Sequence, residues 1–200
     1  MEKVVLNNSR IEVRKQMDIF RDFPKLKTKR LNLSRVTLDH AEDAYEFYSD
    51  NEVMKGHGEQ GLKTMPEVKE RIQDWYVNPY ENKSGIRFGI FLQDTGKLIG
   101  SCGFWRIVDQ HFKGEIGYEL ASNYHRTGIM KEALQRLIVF GFENLNLNRI
   151  EAKTDEYNIG SQSTLTSLGF VKEGVQRESE YEEGKFVDIY HYALLRKEWD

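Results

Sequence analysis

One stretch of this 200-residue chain orders its residue types in a way that suits ligand binding: Tyr118-Glu119-Leu120-Ala121-Ser122-Asn123-Tyr124-His125-Arg126-Thr127-Gly128-Ile129-Met130-Lys131-Glu132-Ala133. The alternating pattern GEIGYEL leads in, and the helical pattern IMKEALQRLIVFGFENL leads out. The first N–H groups of a helix lack partners within it and face the positive end of its dipole. A loop entering at Gly128 can therefore cradle a phosphate or pyrophosphate on backbone amides. Glycine there lets the backbone approach the anion closely. Glu115 and Glu119 alternate onto one face of the incoming strand. Farther on, Asn158 precedes a second helical stretch, where asparagine suits an N-cap, and Ser161 falls in that helix's first turn. Cys102 lies between small residues on an apolar strand with no base supplied nearby, so it reads as packing rather than as a nucleophile. The five histidines are too scattered to form a metal cluster with it, so no metal is expected.

The elements that must position these residues are regularly punctuated. RLNLSRV alternates as a strand, and TLDHAEDAYEFYSD places Leu38, Ala41, Ala44, Tyr45 and Tyr48 on one helical face. Thr64 opens another helix, with Glu67 at capping-box spacing, Pro66 in the first turn, and Val68, Ile72 and Trp75 continuing the stripe. The glycine-rich Gly56-His57-Gly58-Glu59-Gln60-Gly61 between these helices reads as a mobile loop. RFGIFLQ and KLIGSCGFWRIV make a hairpin at Asp94-Thr95-Gly96, followed by GEIGYEL. The long helix then carries Met130, Leu134, Leu137, Ile138 and Gly141 on one face, and RIEAKT is the next strand, parallel or near to GEIGYEL in one sheet. SQSTLTSLGF is a helix stopped by Gly169, and strands at about Val171 to Tyr181 and Lys185 to Leu194 meet at Glu183-Gly184.

Composition bounds the answer. With 39% hydrophobic and 12% aromatic residues the chain folds, and its length suits one domain, residues 24–200, behind an N-terminal extension, residues 1–23. In that extension Ser9 and Glu12 have capping-box spacing, and Ile11, Val13, Met17, Ile19, Phe20 and Phe23 are its apolar residues. It reads as an arm packed on its own domain, on a sister subunit of a homodimer, or against a substrate. No apolar run spans a bilayer and no secretory leader is evident, so a cytoplasmic protein without a membrane partner is expected. A net charge of −3 gives no global pull toward nucleic acid.

Three ordered stretches, the one around Gly128, Asn158-Ile159-Gly160-Ser161…Leu165-Thr166-Ser167-Leu168-Gly169-Phe170, and the end around Lys185-Phe186-Val187-Asp188, together resemble the GNAT N-acetyltransferase superfamily over about residues 26 to 200. The nearest likeness is the RimJ/RimL-like branch. The resemblance implies an α/β (α+β) fold: a mixed, mostly antiparallel central sheet of about six or seven strands flanked by helices, with a central strand-loop-helix-strand acetyl-CoA site. It implies acetyl-CoA as acyl donor, an amine acceptor and direct transfer. A protein N-terminal α-amine is the expected acceptor, a polyamine or aminoglycoside the alternative, and a CoA-binding module without catalysis a third reading. Binding of the donor falls to backbone groups of Leu120 and Ala121, to the loop His125, Arg126, Thr127, Gly128, Ile129 and Met130, and to Asn158 and Ser161. His125 and Met130 stand where the superfamily has Gln or Arg and Gly or Ala, and Leu165 where many relatives carry a tyrosine acid. Ser161 is then the candidate to protonate the departing thiolate, and Glu115 the candidate base, since an alkylammonium near pKa 10 must first lose a proton. The superfamily's acceptor groove falls near Tyr45, Tyr48, Trp75, Tyr76 and Tyr80. The acidic residues Asp155-Glu156 and Glu178 to Glu183 read as a solvated face or an attractor for a cationic acceptor.

Overall fold

The computed structural model describes residues 19–182 and 184–199, so Ser9, Glu12, Ile11, Val13 and Met17 of the arm lie outside the described residues. Ile19 is buried and its carbonyl accepts the Tyr80 hydroxyl at 2.7 Å, which lays the start of the described chain on the core.

The elements run β1 (Leu26–Lys27), β2 (Leu31–Ser34), α1 (Ala41–Tyr48), α2 (Asn51–Met54), α3 (Met65–Ile72), α4 (Asn78–Glu81), β3 (Ile86–Leu92), β4 (Leu98–Val108), β5 (Lys113–Leu120), α5 (Ile129–Glu143), β6 (Arg149–Asp155), α6 (Ile159–Ser167), β7 (Val171–Glu182) and β8 (Lys185–Leu195). The strands form one sheet in the order β1-β2-β3-β4-β5-β6-β8-β7. The β5–β6 pair is parallel and the others are antiparallel. Eight strands exceed the six or seven expected because β1, two residues long, is too short to show an alternating pattern.

Local chemistry explains the elements the site depends on. Thr64 and Glu67 close the expected capping box on α3, with the Glu67 carboxylate accepting the N–H groups of Lys63 and Thr64 at 2.7 and 2.8 Å. On α5, Ala133, Leu134, Leu137, Ile138 and Gly141 are buried at helical spacing. A Cβ on Gly141 would lie 2.6 Å from the Phe104 ring, so glycine lets this helix settle onto the sheet. The helices cover both faces: one core gathers residues of α5 and α6, the other residues of α1 and α3.

Two local expectations are corrected. Leu38 is 48% exposed because α1 begins only at Ala41, after a 3₁₀ turn at Leu38–His40 that carries Leu38 off the buried face. The Gly56–Gly61 stretch is tied down rather than loose. Lys55–His57 forms a 3₁₀ turn, Gly61 N–H donates to Asn51 Oδ1 at 2.9 Å, and Leu62 N–H donates to the Tyr48 carbonyl at 2.7 Å.

Candidate active site

Strands β5 and β6 pair only from Lys113–Arg149 to Ile116–Ala152. Beyond that, β5 stays bonded to β4 through Leu120, and β6 stays bonded to β8 through Asp155, so the sheet parts into a wedge at Gly117. The edge of β5 from Tyr118 to Leu120 therefore faces the wedge without pairing to β6, the arrangement needed to hydrogen-bond an extended amide-bearing ligand, while the Leu120 carbonyl meets His125 Nε2 and the Ala121 N–H donates to the Ile99 carbonyl at 2.8 Å. Tyr118 reaches across the gap, its hydroxyl 2.7 Å from Ser161 Oγ in the first turn of α6. Burial pushes the Tyr118 phenol up to about 12 despite the Ser161 hydrogen bond, so it stays protonated at neutral pH. Asn158 caps α6, its Oδ1 accepting the Ser161 N–H at 3.0 Å. Leu165, one turn farther, is fully buried in the core.

The loop after β5 enters α5 at Gly128, whose φ of +75° is left-handed backbone. A Cβ there would meet only Arg30 Nη2, at 3.6 Å, so glycine is required by conformation and the space beside it is open. Ile129 is buried, Met130 partly so, while Arg126 and Thr127 are exposed. His125 Nε2 lies 2.9 Å from the Leu120 carbonyl, turning that side chain back onto β5, and Thr127 Oγ1 donates to the Tyr124 carbonyl at 2.5 Å. Arg30 ties the loop to the sheet, donating to the Thr127 carbonyl at 3.0 Å and to Glu132 at 2.7 Å. Its guanidinium is a cation beside the helix N-terminus, and nothing in the sequence near Gly128 announces it. The left-handed turn and the free N–H groups of α5 fit a pyrophosphate, and the Arg30 guanidinium beside them is paired with the Glu132 carboxylate.

On the opposite face of β5, Glu119 sits in a buried polar cluster. Its carboxylate pairs with Arg87 and Ser101 and accepts the Tyr48 and Tyr76 hydroxyls at 3.0 and 3.3 Å. His57 Nε2 lies 3.5 Å from the same carboxylate. Burial opposes the charge on Glu119, but Arg87, His57 and Ser101 outweigh it and hold the carboxyl down at about 2. Burial and the Glu119 charge raise Tyr48 well above its ordinary value, so it remains a donor. Glu115 lies on the same strand face as Glu119, in the still-paired part of β5 opposite Glu151, and its carboxylate is 3.3 Å from Lys153 Nζ. Cys102 is fully buried, which pushes its thiol up to about 12. Of the aromatic residues near the expected groove, Tyr48, Tyr76 and Tyr80 are buried and Tyr45 and Trp75 pack partly against the core.

Sequence reasoning assigned no role to Tyr118, His57, Arg87 or Arg30. Only the alternation of β5 held a signal, since it puts Tyr118 and Glu119 on opposite faces. Among the described residues, no group of three or more His, Cys, Asp or Glu is placed to hold a metal, and no helix is long and apolar enough to cross a membrane.

Residues 30–171 match the family described as Acetyltransferase (GNAT) domain. The chain is 37% identical over 174 residues to the uncharacterized N-acetyltransferase p20 of Bacillus licheniformis, covering 87% of this chain and 97% of that one. It is 26% identical over 171 residues, 84% of this chain and 94% of the relative, to the ribosomal-protein-serine acetyltransferase of Escherichia coli strain K12. The fold superposes with a TM-score of 0.74 on the microcin C7 self-immunity acetyltransferase MccE, solved in complex with acetyl-CoA and AMP. That match is 21% identical and covers 84% of this chain and 93% of the other.

Proposed function

The chain belongs to the GNAT acetyltransferase family, and on that footing we propose that it transfers the acetyl group of acetyl-CoA to a primary amine, with the α-amine of a protein N-terminus as acceptor. The observation that carries this reading is the wedge between β5 and β6, with the Tyr118–Ser161 hydroxyl pair across it and the left-handed Gly128 at the N-terminus of α5. Acetyl-CoA supplies a thioester, an electrophilic carbonyl with a thiolate leaving group. The first free amides of α5 hold the pyrophosphate, and the edge of β5 left unpaired beyond Ile116 orients the pantetheine arm on its way past Leu120 and Ala121. Ser161 donates a proton to the leaving sulfur and Tyr118, protonated throughout the neutral range, replaces it. The name of the E. coli relative supports a ribosomal protein as source of the acceptor amine.

A thiol of ordinary acidity leaves readily without full protonation, so the hydroxyl pair contributes less than a typical general acid. Ser161→Ala is expected to lower kcat about tenfold, below the usual span for acid–base groups, with the acetyl-CoA KM held within about twofold. Tyr118→Phe should lower kcat in the same sense, since it removes the resupply. The test is free-thiol release from acetyl-CoA with N-terminal peptides, polyamines and aminoglycosides. Preference for a polyamine or aminoglycoside over every peptide would overturn the acceptor assignment, and unchanged kcat in both variants would remove the hydroxyl pair from the chemistry.

A further inference from the structure

An amine acceptor arrives as an ammonium at neutral pH, and a proton must leave its nitrogen before attack. Among the described residues, three candidate bases stand at the β5 face turned toward α1 and α3: Glu115 and Glu119 on the strand and His57 on the turn that packs over it. Glu119 has 2% of its side chain exposed, is committed to Arg87, Ser101, Tyr48 and Tyr76, and sits at about 2, too weak a base to take a proton from an amine. Glu115 is paired with Lys153 and lies in the part of β5 still bonded to β6, four residues back from Glu119.

His57 is differently placed. Its side chain is 20% exposed, so one side of the ring meets solvent while Nε2 faces the Glu119 carboxylate and the ring edge rests on Trp75 at 5.1 Å between centroids. Its Nδ1 has no hydrogen-bond partner among the described residues. The turn that carries it spans the mouth of the wedge: a Cβ on Gly56 would lie 3.0 Å from Asn158 Nδ2 at the cap of α6, and one on Gly58 would lie 2.8 Å from Glu182 Oε1 on β7. His57 is thereby held between the strand that supplies Glu119, the helix that supplies Ser161, and the β7–β8 hairpin.

Resting on the acetyl-transfer reading above, we propose that His57 is the base that takes the proton from the acceptor ammonium, and that Glu119 is its positioning residue. His57 Nδ1 accepts one proton from the ammonium. The nitrogen lone pair then forms the C–N bond to the thioester carbonyl carbon, and the C–S bond breaks with its electron pair on sulfur. The second nitrogen proton, lost as the amide forms, makes up the one that Ser161 and Tyr118 deliver to the thiolate, and the imidazolium returns its own to solvent, so one proton is released per turnover. The charged and titratable groups around the ring are Glu119 backed by Arg87 on the sheet, Tyr48 from α1, Arg71 over Trp75 with its partner Glu59, Lys55 on the same turn, and Glu182 from β7.

The experiment is the pH profile of kcat/KM from pH 6 to 9 for the full chain with acetyl-CoA and one accepted amine. It compares the parent with His57→Gln, His57→Ala and Glu115→Gln. With an N-terminal peptide as acceptor, His57→Gln should lose about tenfold at pH 7, the shortage of free α-amine at a pKa of about 8, recover toward pH 9 as free amine accumulates, and bind acetyl-CoA as the parent does. Added imidazole should partly restore His57→Ala, a rescue that a purely structural role would not show. Glu115→Gln should lose less than His57→Gln and keep the parent's profile shape. An active parent whose profile is unchanged in both His57 variants, or a profile lost in Glu115→Gln instead, overturns the proposal while leaving acetyl transfer standing. A parent that releases no thiol with any amine of the panel overturns both.

Discussion

Glu119→Ala is expected to destabilise the protein by about 3–5 kcal/mol, the usual cost of breaking a buried ion pair by removing one partner. The loss comes less from the missing attraction than from the charge left behind. Arg87 has 8% of its side chain exposed, and its remaining bond, from Nε to Ser101 Oγ at 2.6 Å, is to a neutral hydroxyl. Removing both charges together, as in Arg87→Met with Glu119→Leu, should cost much less, because no buried ion then lacks a partner. Urea unfolding of the parent and the two variants checks this. A loss below about 1 kcal/mol in Glu119→Ala, the scale of an exposed pair, would show that solvent reaches the cluster.

The same pair sets an acid limit. The Glu119 carboxyl is held at about 2 in the folded chain against an ordinary value of 4.5, so the folded state prefers it ionised. A depressed folded value contributes stability that is fully present above about pH 4.5 and is lost as pH falls toward 2. The difference is worth about 3 kcal/mol from this group at neutral pH. Parent stability should decline between pH 5 and 2, and in Glu119→Gln the decline should be shallower by about that amount. Parallel declines in the two proteins would contradict the assignment.

Gly128→Val should weaken acetyl-CoA binding by about 10²-fold, the equivalent of two lost hydrogen bonds to a charged group at roughly 1.5 kcal/mol each. Its effect has two sources. The φ of +75° is strained for a side chain and most of all for a β-branched one, and the Cβ substituents extend into the open space beside the α5 amides. Gly128→Asn separates these sources, since asparagine tolerates left-handed backbone yet still fills the cradle. The asparagine variant should retain near-parent stability and lose most of the affinity. Calorimetric titration with acetyl-CoA, beside thermal unfolding, tells the two apart, and parent-like affinity in a folded Gly128→Asn would remove this loop from the binding site.

Elements that arise from contacts within about a dozen residues were legible in the chain. The capping box at Thr64 and Glu67, the turn at Asp94 to Gly96, the buried stripe of α5 and the stop at Gly169 each rest on short-range backbone chemistry and periodicity, and the structure contains all of them. So was the order of strand, loop, helix and strand around Gly128, and of the two arrangements expected, parallel or merely near in one sheet, β5 and β6 take the parallel pairing. What sequence could not rank was the role of each polar group, because role depends on partners far away along the chain. Glu119 and Glu115 look alike on one alternating strand. Both are buried, but one meets Arg87 and His57 from distant elements and the other Lys153. Ser161 meets Tyr118 only because β5 and β6 part after Ile116. Arg30 reaches Glu132 across 102 residues. Local pattern determines which segments become strands and helices and which faces they bury. Charge pairing against desolvation holds Glu119 ionised, and only the closed tertiary structure brings its partners together.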